Sequence, residues 1–544
     1  MNYIGITIGP IGDTMSLTST PAGLWAASYL FSFLAHEIRI GINKENLLQD
    51  NLIYAGERKV SDLFIKGVGL YHDRIIYQAD EEHTIAQANK AVGEAVEKII
   101  DGFSKTEICN EEEVEAFFKS FFNIHILSIE VSEGENFEDN SFLIRLNDAL
   151  DCAELEKSFP SSIIVNPILA LFNNTDDKNR NERIKSSFLV SENDSNRKLN
   201  WVLTNTSERG IKDLESIANA DGKSPYTKKS KASRYYAVIR ADGDNMGATI
   251  KKIQTEKEYI AFSEKCIKYG CKTAEIVLKY GGIPIYVGGD DLLCITPLMS
   301  KVDEDSRTFL DMIQEIRNEF KKVFPGTPDL SFGVQIQFVR APLYEALNES
   351  GRLLFGAAKA NKPGALAVNL KKHSGQSAEI LIKTIGSGQG EQIVKKISDL
   401  ILSHFSETKD DGTEQNKRDK DPYNLLEIKD EEEEEKKEKL LKSVGTHIAD
   451  FAILLDQAAL RGDDAIDHYF ENVFDNDVPK EQLGYINKIC ELTKLLNTLV
   501  KEIRAKEAQN KVPESEQTKL SDVLGASIRI VKFFSEKIER EEAQ

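Results

Sequence analysis

The chain has 544 residues, more than one hydrophobic core normally serves, and its 41% of hydrophobic residues can fill several. With 69 Lys and Arg against 89 Asp and Glu the net charge is −20, which excludes a chain that coats nucleic acid by bulk positive charge; any basic groove is local or lent by partners. Six cysteines without a single C-x-x-C exclude a disulfide scaffold and argue against a zinc ribbon, so no zinc is expected and a reducing cytoplasm is the default compartment.

The first region, residues 1 to about 130, alternates short β-like and helical runs. Tyr3–Ile8 reads as a strand and Pro21–Ile40 as a helix, with apolar spacing at Leu24, Ala27, Tyr29, Phe31 and Leu34. Arg74–Tyr77 reads as a strand, Thr84–Ile100 as a helix and His125–Val131 as a strand. Met1–Gly9 lacks a basic leader, and Leu24–Leu34 is too short to cross a bilayer, so no membrane partner is expected. Residues 131–233 are mixed and more polar, a small intervening domain ending in the loop-like stretch Ala218–Ser233.

Residues 234–378 form the most legible unit. Arg234–Ala241 is a strand, and Tyr259–Tyr280 a helix stopped by Gly281-Gly282. Ile283–Val287 and Leu292–Thr296 are strands flanking Gly288-Gly289-Asp290-Asp291. Asp303–Val323 is a helix, Leu330–Val339 a strand, Leu343–Lys359 a helix and Ala365–Leu370 the last strand. The order begins β-α-β-β-α-β, that of a ferredoxin-like palm. Residues 379–544 read as helical, interrupted by Ser406–Asp421 and by the charge run Asp430–Lys439, a solvated face or an insert. The expected class is α+β: two ferredoxin-like palms, a small domain between them and a C-terminal helical domain. The first region repeats the β-α-β order without the Gly-Gly-Asp-Asp.

In the β-α-β-β-α-β order, strands one and two run parallel with strand three between them, antiparallel. The end of strand one, Asp242-Gly243-Asp244, and the hairpin tip at Asp290-Asp291 therefore share one edge of the sheet. Converged carboxylates repel unless a divalent cation neutralises them, and Mg²⁺ (or Mn²⁺) takes oxygen ligands and keeps phosphate oxygens in its shell. Asp242, Asp290 and Asp291 are the expected catalytic and metal-binding residues. Asp244 is a fourth metal candidate or a helix N-cap. Gly288 and Gly289 permit a tight turn and close approach of a nucleotide. The amides near Gly247 and the ammonium of Lys359 suit a triphosphate. Ser28 and Ser32 lie on one helical stripe with Trp25 and Tyr29, which is either core or the lining of a second nucleotide pocket; Gly9 belongs to the same face. His72-Asp73 reads as a loop, not a metal doublet, and Cys266 and Cys271 as core.

The stretch Tyr236–Gly247, then Tyr286–Leu293, resembles the large palm-domain subunit of type III CRISPR effector complexes, most closely the type III-B (Cmr) form. Ile8-Gly9-Pro10 and Leu24–Leu30 resemble that family's first palm; Pro342–Lys359 and Lys372-His373-Ser374-Gly375 resemble its second. The resemblance implies an ATP-dependent nucleotidyltransferase that makes cyclic oligoadenylate when target RNA is bound, working with other Cmr subunits and CRISPR RNA. Alternatives are joining AMP to S-adenosylmethionine and a catalytically silent scaffold. Because the first palm begins at Met1, no N-terminal nuclease domain is expected.

Overall fold

The computed structural model describes residues 2–16, 18–42, 68–105, 109–131, 141–156, 166–172, 213–220, 230–253, 255–303, 305–326, 329–361, 364–383, 388–403, 436, 438–474 and 482–536. Strand β1 (Asn2–Gly9) is flanked antiparallel by β2 (Arg74–Gln78) and β3 (Asn123–Glu130). Alternation along β1 sends its side chains to both faces. Ile4, Ile6 and Ile8 join the large core that contains the Pro21–Ile42 and Ile85–Ser104 helices. Tyr3 and the Cα of Gly5 face the Ser141–Glu154 helix, where a Cβ on Gly5 would sit 2.9 Å from Leu150. The Pro21–Ile42 helix is buried on nearly every side, because it lies between this sheet and the next one rather than on a surface.

The second sheet has the order β11-β10-β9-β4-β6-β5, from β4 (Tyr235–Gly243), β5 (Ile283–Gly288), β6 (Asp291–Pro297), β9 (Leu330–Phe338), β10 (Leu366–Lys371) and β11 (Ser377–Ile382). Strand β6 pairs antiparallel with both β4 and β5, so β4 and β5 run parallel, as expected. Strand β9 pairs antiparallel with the far side of β4, completing a ferredoxin-like sheet that β10 and β11 extend. The Glu256–Tyr280 helix starts three residues earlier than expected, at a capping box of Thr255 and Glu258, and ends on Gly281 with φ 91°.

Three local expectations are corrected. The helix placed at Asp303–Val323 begins at Phe309: residues before it form a hairpin of β7 (Met299–Val302) and β8 (Asp305–Thr308), and Thr308 caps the helix with Asp311. The helix from Leu343 is regular to Gly351, widens to π-type turns over Arg352–Ala358 and tightens at Lys359–Asn361. The last strand is β11, not Ala365–Leu370: Ala378, Ile380 and Ile382 turn inward with period two and pair with β10. The C-terminal region is helical, with helices at Gly388–Leu402, Ala452–Arg461, Asp463–Phe474, Leu483–Gln509 and Leu520–Ser535. The stretch Ser406–Asp421, most of Asp430–Lys439 and most of Ala218–Ser233 lie outside the described residues. Among the described residues no helix is long and apolar enough to cross a membrane.

Candidate active site

The edge where β4 ends is also the edge of the β5–β6 hairpin, and there the predicted carboxylates meet. The Gly243 amide donates to Asp290 Oδ2 at 3.1 Å, and the carboxyls of Asp242 and Asp291 share a hydrogen bond. Gly243 has to be glycine: a Cβ there would collide with Asp290 Oδ2 and sit 2.7 Å from Met246 Cγ. Gly289 carries the left-handed φ of 64° that turns the hairpin, while a Cβ on Gly288 would collide with the Tyr286 hydroxyl.

The electrostatics follow from this crowding. Burial, then the charge of Asp242, pushes Asp290 up to about 6, against the pull of Lys359 and the Gly243 amide. Asp291 is held well above the carboxylate range by burial, by its hydrogen bond with Asp242 and by the charges of Asp290 and Asp242. Crowding buried carboxylates together favours the protonated form of each, and that is the direction of both shifts.

One cation is already present. Lys359 pairs with Asp242, donates to the Gly243 carbonyl at 2.6 Å and lies 3.3 Å from Asp244 Oδ1. The sequence suggests Lys359 for a triphosphate; in this structure its partners are protein oxygens at the carboxylate edge. Asp244 stands apart from the other three acids. It is fully buried, accepts the Ser331 hydroxyl on both oxygens at 2.9 Å and takes the Gly364 amide at 2.7 Å. Its own amide donates to the Asp329 carbonyl at 2.9 Å, and Asp329 is locked by Arg317 at 2.8 and 2.6 Å. With Lys359 added, the lone pairs of Asp244 are engaged within the protein. It is not a helix cap either: the short Met246–Ile250 helix is entered through Asn245 at φ 58°. Gly247 is exposed on that helix, with open space where a Cβ would be.

Ser28 and Ser32 are each 2% exposed and face the loop that enters from the first region. Ser32 Oγ accepts the Tyr71 amide at 2.8 Å, a Cβ on Gly69 would lie 3.3 Å from Ser28 Oγ, and the Gly69 carbonyl accepts the Val287 amide of β5 at 3.1 Å. The two serines are thus joined to β5 through this loop. Gly9 ends β1 opposite Asn123, on a separate sheet from the carboxylates. His72-Asp73 is a loop, as expected, but its place was not foreseen: the His72 ring lies against the hairpin turn, 2.9 Å from where a Cβ on Gly289 would stand. Sequence reading also missed Ser331, which sits opposite Asp242 only through the β4–β9 register.

The donor set is hard oxygen, which fits Mg²⁺ or Mn²⁺ and not a soft metal. The raised proton affinity of Asp290 and Asp291 is what a divalent cation would relieve. Among the described residues no three His, Cys, Asp or Glu side chains form a ready coordination cage, Asp242 being turned to Lys359.

Residues 235–367 match the family model described as Cas10/Cmr2, second palm domain. The CRISPR system Cmr subunit Cmr2 of Pyrococcus furiosus is 31% identical over 201 residues, which cover 31% of this chain and 22% of that protein. The chain thus aligns with about a fifth of that relative's length. The Csm1–Csm4 cassette solved in complex with cA4 is similar at 14% identity and a TM-score of 0.48, over 98% of this chain and 70% of that one. A type III-B Cmr-beta structure in the apo state is similar at 14% identity and a TM-score of 0.46, over 74% of this chain and 73% of that one. Residues 235–367, which carry the aspartates at the sheet edge, are thus similar to the second palm domain of Cas10/Cmr2 proteins.

Proposed function

We propose that the chain is the nucleotidyltransferase of a type III CRISPR complex, using ATP to make an adenylate second messenger. The observation that carries this reading is the convergence of Asp242, Asp290 and Asp291 at one sheet edge, two of them with raised proton affinity. These three residues would hold Mg²⁺ or Mn²⁺, which when bound supplies charge stabilisation for the attacking oxygen and the departing pyrophosphate.

The chain's own groups do the rest. Lys359 and the exposed amides around Gly247 hold the triphosphate of one ATP. Asp244, braced by Ser331, Gly364 and Asp329, fixes the Lys359 ammonium and the turn after β4 and acts as a positioning residue. Gly288 and Gly289 keep the hairpin backbone close to the nucleotide. In the reaction an acceptor hydroxyl bonds to the α-phosphorus as the bridging oxygen to the β-phosphorus leaves with pyrophosphate. The acceptor sits toward the first region and is a second ATP, so the product is a linear or cyclic oligoadenylate. Other Cmr-type subunits, CRISPR RNA and target RNA complete the active assembly.

The test is product mass from ATP and Mg²⁺, with the assembled complex and target RNA, with and without S-adenosylmethionine. Oligoadenylate formed only with target RNA is expected. AMP joined to S-adenosylmethionine, with no oligoadenylate beside it, would replace the acceptor; no adenylate transfer under either condition would overturn the reading.

A further inference from the structure

At the opposite edge of the second sheet, where β4 begins and β9 ends, the surface opens into a cavity of about 670 Å³. Tyr235 at this edge is seven residues from Asp242 along β4, roughly 23 Å at the usual rise of a strand. Among the described residues four cations line the cavity, Lys231, Arg234, Arg340 and Lys372, against one carboxylate, Glu536. Such an excess is notable in a chain of net charge −20. Glu536 is engaged by Lys372 at 2.6 Å. Arg340 keeps 78% of its side chain in solvent, its nearest acid being Glu215 at 3.9 Å.

The same cavity has aromatic walls. Phe338 and His373 lie with ring centroids 4.9 Å apart, and Lys372 stands 5.7 Å over the Phe533 ring. The turn carrying Lys372, His373 and Ser374 is fixed from three sides. The His373 amide donates to the Tyr235 hydroxyl at 2.9 Å, the Gly375 amide to the Lys372 carbonyl at 2.9 Å and the Lys372 amide to the Gln376 carbonyl at 2.8 Å. Gly375 supplies the left-handed φ of 84° that the turn needs. Cations that hold phosphate beside rings that stack a base are the chemistry of nucleotide recognition, and the volume lies in the range of small-ligand sites.

From this we infer that the cavity formed by Lys231, Arg234, Arg340, Lys372, Phe338 and His373 is a further nucleotide-phosphate site, separate from the aspartate edge. Arg340 and Lys231 take the phosphates, and Phe338 with His373 takes the base. A free nucleotide and a short RNA strand share this chemistry.

The test uses the full chain carrying Asp290→Ala and Asp291→Ala, in EDTA, so that metal-mediated binding at the aspartate edge is removed, and the charge reversals below separate this cavity from any ATP that Lys359 still holds. The probes are ATP and a 5′-phosphorylated tetra-adenylate, titrated at two salt concentrations. Saturable, salt-sensitive binding of at least one probe is expected. Adding Arg340→Glu with Lys231→Glu should weaken it at least tenfold; Arg340→Glu alone, at an exposed side chain, should weaken it severalfold. Binding of ATP assigns the site to free nucleotides, and binding of the tetra-adenylate alone assigns it to an RNA strand. Absence of saturable binding by both probes, or affinity unchanged in the charge-reversed chains, would overturn the inference.

Discussion

Asp290 Oδ2 accepts the backbone amide of Gly243 at 3.1 Å, so a hairpin tip and a strand end separated by 47 residues are held as one site before any ligand arrives. This contact needs the close approach that only a glycine at 243 allows. It also keeps the carboxyl of Asp290 near that of Asp242, whose charge contributes to its raised proton affinity.

Gly243→Ala should therefore uncouple the two segments. The new methyl must displace Asp290 or Met246, and we expect turnover to fall at least tenfold with a stability loss of about 1–3 kcal/mol, the usual range for overpacking. Steady-state pyrophosphate release and urea unfolding of the same preparation check both parts.

The metal-free chain should show a pH signature at Asp290. Its folded value, about 6, is raised above the ordinary carboxylate value of 3.8. A raised acid contributes stability that is fully present below pH 3.8 and lost as pH rises through about 6. Asp290→Asn should then stabilise the metal-free chain at pH 7.5, by about 1–2 kcal/mol after allowance for partial exposure, and the gain should vanish near pH 4. Thermal unfolding in EDTA at both pH values reads this out.

Lys359→Met removes the cation shared by Asp242 and the fully buried Asp244. Breaking a buried pair by deleting one partner leaves an uncompensated charge, so a loss of about 2–4 kcal/mol is expected together with loss of ATP turnover. Ser331→Ala removes only the hydroxyl that bonds Asp244, and should cost about 1–3 kcal/mol. Denaturant midpoints at pH 7.5 rank the two.

The carboxylate edge was legible because β-α-β-β-α-β order leaves one place for the end of strand one and the second hairpin, and β4, β5 and β6 take it. The elements missed were short. Strand β7 turns at Asp303, which adopts φ 52°, into a four-residue β8 in which Asp305, Ser306 and Arg307 carry little strand propensity. Residues that brace the site were invisible for another reason. Ser331 and Gly364 reach Asp244 through strand register and a loop, and His72 comes from the loop before β2, so no local pattern marks them.

Asp242→Asn keeps the size of the side chain but removes the charge that pairs with Lys359 and repels Asp290. Turnover should be lost while the Tm changes little, because the loss of repulsion offsets the loss of the pair. Activity assays beside thermal unfolding separate this from a folding defect.

The role proposed for Asp290 and Asp291 is to make this edge a metal-dependent nucleotidyltransferase site. Its most direct test is pyrophosphate release from ATP and Mg²⁺ by the target-RNA-bound complex, with the parent chain and with Asp290→Ala plus Asp291→Ala. Release by the parent is expected, with a fall of at least a hundredfold in the double variant, whose Tm stays within a few degrees of the parent. Release at the parent rate by the double variant would contradict it.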